Sequence, residues 1–159
     1  MKPPTTLAQL LQNPRSSAPA IIAPSYDVVV SYTSLAEQVE RLASQFLGAG
    51  FKAGDTVAVI LPNGLEFLVG FLALTRARLV ASPINPADKA EEMRFFITAG
   101  QAKALITGRD NATAAQIAAS LGLPLWTPQV DHSGVVTVPQ LPAGTRHSAE
   151  GRPATTSRY

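Results

Sequence analysis

The grouping most suggestive of chemistry is GAGFKAG, Gly48 to Gly54, because glycine-rich turns let backbone N–H groups cradle a phosphate. Its spacing is G-x-G-x-x-x-G, one residue longer than the dinucleotide fingerprint. It also leaves a helical pattern and enters a strand pattern, whereas a pyrophosphate sits at a helix N-terminus that follows a strand. These glycines therefore read as a helix stop and a turn. His132, in DHSG, and His147, near the C-terminus, lack any H-x-x-x-H or comparable spacing and read as surface residues. Glu91 and Glu92, after Asp88, open a helical pattern, where negative charge is favoured by the helix dipole. Asp27 and Asp55 follow turn residues and begin strands. No serine lies in a G-x-S-x-G elbow. No catalytic residue and no metal ligand is assigned.

The elements that would carry these residues follow from periodicity. Thr6 to Gln12 reads as a short helix with Leu7, Leu10 and Leu11 at i, i+3 and i+4. AIIA and DVVVSY, split by Pro24, Ser25 and Asp27, read as a short strand pair. Leu35, Val39, Leu42 and Phe46 then mark one face of a long amphipathic helix. Ser34 with Glu37 fits its capping box, with Ser31 as another start, and Gly48 and Gly50 end it. GDTVAVIL is a near-continuous apolar run of the kind buried on both faces of a parallel sheet. Further strands are expected at Leu79–Ile84, at Ala102 or Lys103 to Thr107, and in LPLW and GVVTV. Helices are expected at Asp88–Ala99, with Met93, Phe96 and Ile97 inward and Gly100 closing it, and at Ala112–Leu121, stopped by Gly122. Strand and helix alternating at this spacing specify βαβ units, so the fold class is α/β with a mostly parallel sheet. Residues 1–140 form the folded unit, and 141–159, poor in apolar residues, form a low-complexity tail expected to be disordered.

One helix poses a packing problem. NGLEFLVGFLALTRAR, Asn63 to Arg78, opens with Asn63 as an N-cap and Glu66 in the first turn. Phe67 to Leu74 then carries no polar side chain on any face, so the helix must be covered all round. In the superfamily that the chain's motifs resemble, as set out below, such a helix lies in a larger domain, so the resemblance implies neighbours outside this chain.

Bulk composition narrows the classes. The chain has 159 residues, 46% hydrophobic and 15% charged, which suits one globular domain with a real core. Cysteine is absent, which excludes a disulfide framework and thiolate metal sites. Net charge is +2, and Arg15, Arg41, Arg76, Arg78, Arg94 and Arg109 are scattered among acids, so no nucleic-acid stripe is visible. MKPPTTLAQLLQNPR carries three prolines and no apolar h-region, so secretion is not expected. VAVILPNGLEFLVGFLAL is broken by Pro62, Asn63 and Glu66 and falls short of the roughly 20 apolar residues of a membrane span.

Six motifs in order carry a resemblance. They are SYTSL from Ser31, GFKAGDTVA from Gly50, PNGLEF from Pro62, PINP from Pro83, the Glu91–Glu92 pair, and AKALIT from Ala102. As a set they resemble the N-terminal part of the adenylate-forming (AMP-binding) acyl-CoA synthetase superfamily. Arg76, Ala77 and Arg78 resemble the oxalate–CoA ligase, or peroxisomal-type CoA synthetase, branch, and Arg78 stands where many members carry glycine. The resemblance implies an incomplete N-terminal subdomain of an enzyme that joins a carboxylate to AMP and then to CoA. Such an enzyme uses ATP, Mg2+ and CoA with a small-molecule carboxylate.

The family's phosphate loop, ribose-binding aspartate and C-terminal lysine follow this region in the resemblance. Within ATTSRY, Thr155, Thr156, Ser157 and Arg158 resemble part of that loop, but Ala154 replaces a glycine and the proline and lysine are missing. The expectations are therefore a truncated ligase portion that is inactive alone, with no cofactor of its own. A non-catalytic module that binds a full-length relative is the alternative, and a small stand-alone nucleotide-binding enzyme finds no supporting motif. Self-association through an exposed sheet edge is expected, and location is expected to be cytoplasmic or peroxisomal. The terminal SRY resembles a peroxisomal S-K-L signal except at its tyrosine.

Overall fold

The structure, a computed structural model, describes residues 3, 5–12 and 16–143. Helix α1 (Leu7–Gln12) precedes an antiparallel hairpin of β1 (Pro19–Ala23) and β2 (Val28–Ser31), joined by a 3-10 turn at Pro24–Tyr26. Then come α2 (Tyr32–Gly48), β3 (Thr56–Ile60), α3 (Leu65–Arg76), β4 (Val80–Pro83), α4 (Ala90–Ala99), β5 (Ala104–Thr107), α5 (Ala112–Leu121) and β6 (Leu125–Trp126). Strands β7 (Gln129–Val130) and β8 (Val136–Thr137) close the order.

The sheet is four-stranded and parallel, in the order β4-β3-β5-β6. Strand β3 is followed by its neighbour on one side, and the chain then crosses back to lay β5 and β6 on the other. Right-handed crossovers put α3 on one face and α4 and α5 on the opposite face. The apolar side chains sort accordingly. Val57 and Val59 of β3 join α2 and α3 in one core, while Ala58 and Ile60 join Met93, Ile97, Ala114 and Ile117 in the other.

Four local readings are corrected. The long helix is capped by Ser31, whose Oγ accepts the Ser34 N–H at 3.1 Å, because β2 runs straight into it; the Ser34–Glu37 box is not its start. Helix α3 begins at Leu65 with Gly64 at the cap position and no side-chain cap, so Asn63 does not serve as one. Helix α4 begins at Ala90 rather than Asp88, because Asp88 N–H is already used in a turn with Asn85 C=O at 3.0 Å. Phe96 is not inward but 48% exposed. On so short a helix Met93 and Ile97, at i and i+4, fill the shallow inner face, and Phe96 lies beside Phe95, with ring centroids 5.6 Å apart.

GVVTV also takes a different role. Its Val136–Thr137 portion leaves the parallel sheet and pairs antiparallel with Gln129–Val130, a strand too short to show in the pattern. Leu141 is buried with Val136 and Val138 in the first core, and residues 144–159 lie outside the described residues.

The apolar helix α3 finds most of its cover within the chain. Leu65, Val69, Gly70, Ala73 and Leu74 are buried beneath α2 and against the sheet, and Leu11 of α1 packs on the same core. Phe67 and Phe71 stack at 6.0 Å and stay half-buried, and Leu68 is the open position. Arg76 at its end pairs with Glu40 of α2 at 2.6 Å. Arg78 has φ +63, in the left-handed region that favours glycine, and its carbonyl accepts the Gly54 N–H at 2.9 Å. Glycine would adopt that backbone without strain.

Candidate functional site

In an open parallel sheet, ligands bind beyond the carboxyl ends of the strands, where the chain order reverses. Here that point lies between β3, which leads outward to β4, and β5, which leads the opposite way to β6. The chain leaving β3 gives Leu61, Pro62 and Asn63; the chain leaving β5 gives Gly108 and Arg109. Thr107 Oγ1 donates to the Ile60 carbonyl at 3.2 Å and staples the two strands together beneath this point.

A cleft of about 440 Å³ opens there, bounded by Tyr26, Asn63, Glu66, Arg109 and Gln129. A hollow of about 480 Å³ shares Pro62, Gly108 and Arg109 with it and reaches Asn111 and Thr113 at the start of α5. Another, of about 470 Å³, shares Pro62 and Asn63 and runs along Asn85 and Pro86. The PINP turn that shapes this last wall is self-supporting, since Asn85 Oδ1 accepts the Ala87 N–H at 3.0 Å. The Asn111 side chain accepts the Ala114 N–H at 2.9 Å and so caps α5.

Two side chains meet across the cleft's rim. The Tyr26 hydroxyl, on the turn between β1 and β2, donates to Glu66 in the first turn of α3. Asp27 at φ +52 turns the chain there. The hydrogen bond to Glu66, helped by burial and by the carboxylate's charge, raises the Tyr26 phenol from 10.0 to about 12. The pair is thus a protonated phenol held on a carboxylate. Asn63 offers amide groups and Arg109 a permanent positive charge to the same space.

The glycine-rich stretch lies at the other end of the sheet. Gly50 and Gly54 have φ of +94° and +88° and turn the chain between α2 and β3, as the spacing predicts. Beside them Asp55 accepts the Lys103 ammonium at 2.7 Å and the Lys52 N–H at 2.9 Å. The hydrogen bond from Lys103, then that from Lys52, holds the Asp55 carboxyl below its ordinary 3.8. Asp55 thus ties β3 to β5 at their amino ends.

The remaining expectations fall as follows. His132 is exposed in a turn whose Asp131 carboxylate accepts from the Ser133 and Val135 N–H groups. Glu91 and Glu92 lie in the first turn of α4. Among the described residues no three His, Cys, Asp or Glu side chains gather as a metal site. Thr155, Thr156 and Ser157 lie outside the described residues. Tyr26 was missed as a cleft residue; a tyrosine in a turn has no periodic signal, and its partner is 40 positions away. Glu66 was visible only as a helix-dipole acid.

The AMP-binding enzyme family profile matches residues 9–156. The oxalate–CoA ligase of Arabidopsis thaliana is 38% identical over 118 residues, covering 72% of this chain and 23% of that enzyme. The oxalate–CoA ligase of Saccharomyces cerevisiae is 36% identical over 93 residues, covering 54% of this chain and 17% of its own length. The matched region thus spans under a quarter of the curated relatives' length. ATP-bound MatB from Rhodopseudomonas palustris superimposes with a TM-score of 0.63 at 28% identity, over 81% of this chain and 26% of its own.

Proposed function

The chain belongs to the AMP-binding enzyme family, and we propose that it forms the N-terminal part of an ATP-dependent acid–CoA ligase. In that reaction a carboxylate is first joined to AMP with loss of pyrophosphate, and the CoA thiol then displaces AMP. The observation that carries the reading is the six-motif register from Ser31 to Thr107, folded as one parallel unit with its cleft at the β3–β5 switch point. Relatives that join oxalate to CoA favour a small carboxylate acid as substrate. ATP and CoA as co-substrates accord with a cytoplasmic or peroxisomal setting, and no helix among the described residues is long and apolar enough to cross a membrane.

The 159-residue chain is proposed to be inactive by itself, with no resident cofactor. The described cleft holds one guanidinium, Arg109, with Gly64 and Gly108 in its lining, and no cluster of three acidic or metal-ligating side chains forms among the described residues. With that donor set, developing charge on a triphosphate would go unbalanced. The proposed phosphate-loop remnant is Thr155, Thr156 and Ser157. A second reading, a non-catalytic module that binds a relative or another copy, is favoured by Phe95 and Phe96, which are 65% and 48% exposed, on the helix beside the open edge strand β4.

Acid-dependent exchange of labelled pyrophosphate into ATP tests this directly. The purified chain is expected to give none with oxalate, malonate or a long-chain fatty acid. Sustained exchange with any of them would overturn inactivity.

A further inference from the structure

The wall of the cleft opposite β3 is the hairpin β7–β8, which is not part of the parallel sheet. Two cross-strand pairs, Gln129 with Thr137 and Val130 with Val136, join its strands, and the Asp131 N–H donates to the Val135 carbonyl at the turn. A ribbon that short is marginal on its own. Its position must be set by what it packs on, which is α3 and, through side-chain hydrogen bonds, α2.

Gln38 of α2 is 1% exposed, and both ends of its amide are spent on the hairpin. Its Oε1 accepts the Val136 N–H at 2.8 Å, and its Nε2 donates to the Gly134 carbonyl at 3.1 Å and to Ser34 Oγ at 3.1 Å. With an N–H on one side and a carbonyl on the other, the amide orientation is fixed by its partners. One turn on, Arg41 donates to the Val136 carbonyl at 2.9 Å, and Gln45 donates to the Pro142 carbonyl at 3.1 Å. Gly134 has φ +81, and a Cβ there would stand 3.1 Å from Val28 Cγ2 and from Val30 Cγ2. The turn is therefore pressed onto β2 while Gln38 holds it from below.

The two strands of the hairpin differ. Val136, Val138 and Leu141 are buried in the core, whereas Gln129 is exposed and Val130 only partly buried against that core, both lining the cleft. Trp126, packed on Phe46 at 5.3 Å and Phe51 at 4.9 Å, anchors the chain just before it enters the wall.

We propose that Gln38 is a positioning residue for the cleft: its amide fixes the β8 backbone, and through β8 it fixes the wall that Pro128, Gln129 and Val130 present to the site. Loss of the amide frees the wall between the anchors at Trp126 and Val138 without unfolding the sheet. The inference holds for whatever ligand the cleft takes.

Hydrogen exchange followed by mass spectrometry on the full chain tests it, with Gln38→Leu and Gln38→Glu. Gln38→Leu removes both contacts; Gln38→Glu keeps an acceptor for Val136 but sets a carboxylate against the Gly134 carbonyl. Both are expected to speed exchange in peptides spanning 127–137 at least tenfold, while the amides of β3 and β5 change less than twofold. Acrylamide quenching of Trp126, the single tryptophan and the anchor before the wall, should stay as in the parent. Exchange that rises equally in wall and sheet would mark a merely structural residue and overturn the proposal, as would unchanged exchange in the wall. Gln45→Ala, which touches only Pro142, should leave 127–137 as in the parent.

Discussion

The two faces of the parallel sheet are built differently. One is thick: α2, α3 and the β7–β8 hairpin lie over β3 and β5, and the core between them holds Leu42, Phe46, Leu74 and Trp126. The other is thin: α4 and α5 meet the sheet through Ala58, Ala102, Ala114 and Ala118 with Met93 and Ile97 between. Phe46 is fully buried among aromatic neighbours, while Phe95 and Phe96 on the thin face look outward. The thick face buries its large aromatics and leaves Leu47 and Leu68 exposed, whereas the thin face leaves two aromatic rings to solvent. Stability should come mainly from the first face, and contact with other molecules from the second.

Truncating large side chains on each face is the strongest way to break that contrast. Phe46→Ala should cost about 3–5 kcal/mol, and Met93→Ala, in the shallower core, about 2–3 kcal/mol. Urea denaturation of the two variants checks the order, and equal losses would mean the faces contribute alike.

A smaller effect should appear at the amino end of the sheet, where both faces meet. Because Lys103 and Lys52 hold the folded Asp55 carboxyl below its ordinary 3.8, its contribution is present above that pH. It is lost as pH falls from about 4 through the lower folded value. Thermal melting of Asp55→Asn against the parent should therefore differ at pH 7 and converge toward pH 3. A constant gap across that range would remove the Asp55–Lys103 pair from the account.

The smallest change in stability should come from the outer residues of the thin face. Phe95→Ser with Phe96→Ser should move stability by no more than about 0.5 kcal/mol each, as exposed positions do. The same variant should lower self-association in analytical ultracentrifugation if this face makes contacts between molecules. An unchanged distribution would leave the edge of β4 or another surface to carry them. That edge is already blunted, because Pro83 removes an N–H from it.

Much of this was legible beforehand, for reasons tied to particular residues. The β3 and β5 stretches are legible to within a residue or two as short apolar runs, and α2 by the period of Leu35, Val39, Leu42 and Phe46. The glycines at 50, 54 and 122 marked turns because left-handed backbone was needed there. What was not legible depends on distance in the fold. The cover over α3 comes partly from residues near 11 and 136, so its apolar surround alone could not distinguish a missing neighbour from a remote one. Phe96 failed because a ten-residue helix on a shallow face needs only two inward positions. The cleft pair Tyr26–Glu66 and the Gln38 clamp join residues 40 and about a hundred positions apart, and no local pattern announces either.

As proposed, this unit is the N-terminal element of an acid–CoA ligase. A graft tests it most directly: residues 9–143 of this chain replace the matched segment of the Arabidopsis thaliana oxalate–CoA ligase. Oxalate-dependent pyrophosphate exchange is then measured on protein that melts cooperatively. The account predicts exchange within about tenfold of the parent ligase, a difference near 1.4 kcal/mol. A folded chimera with no exchange would contradict it.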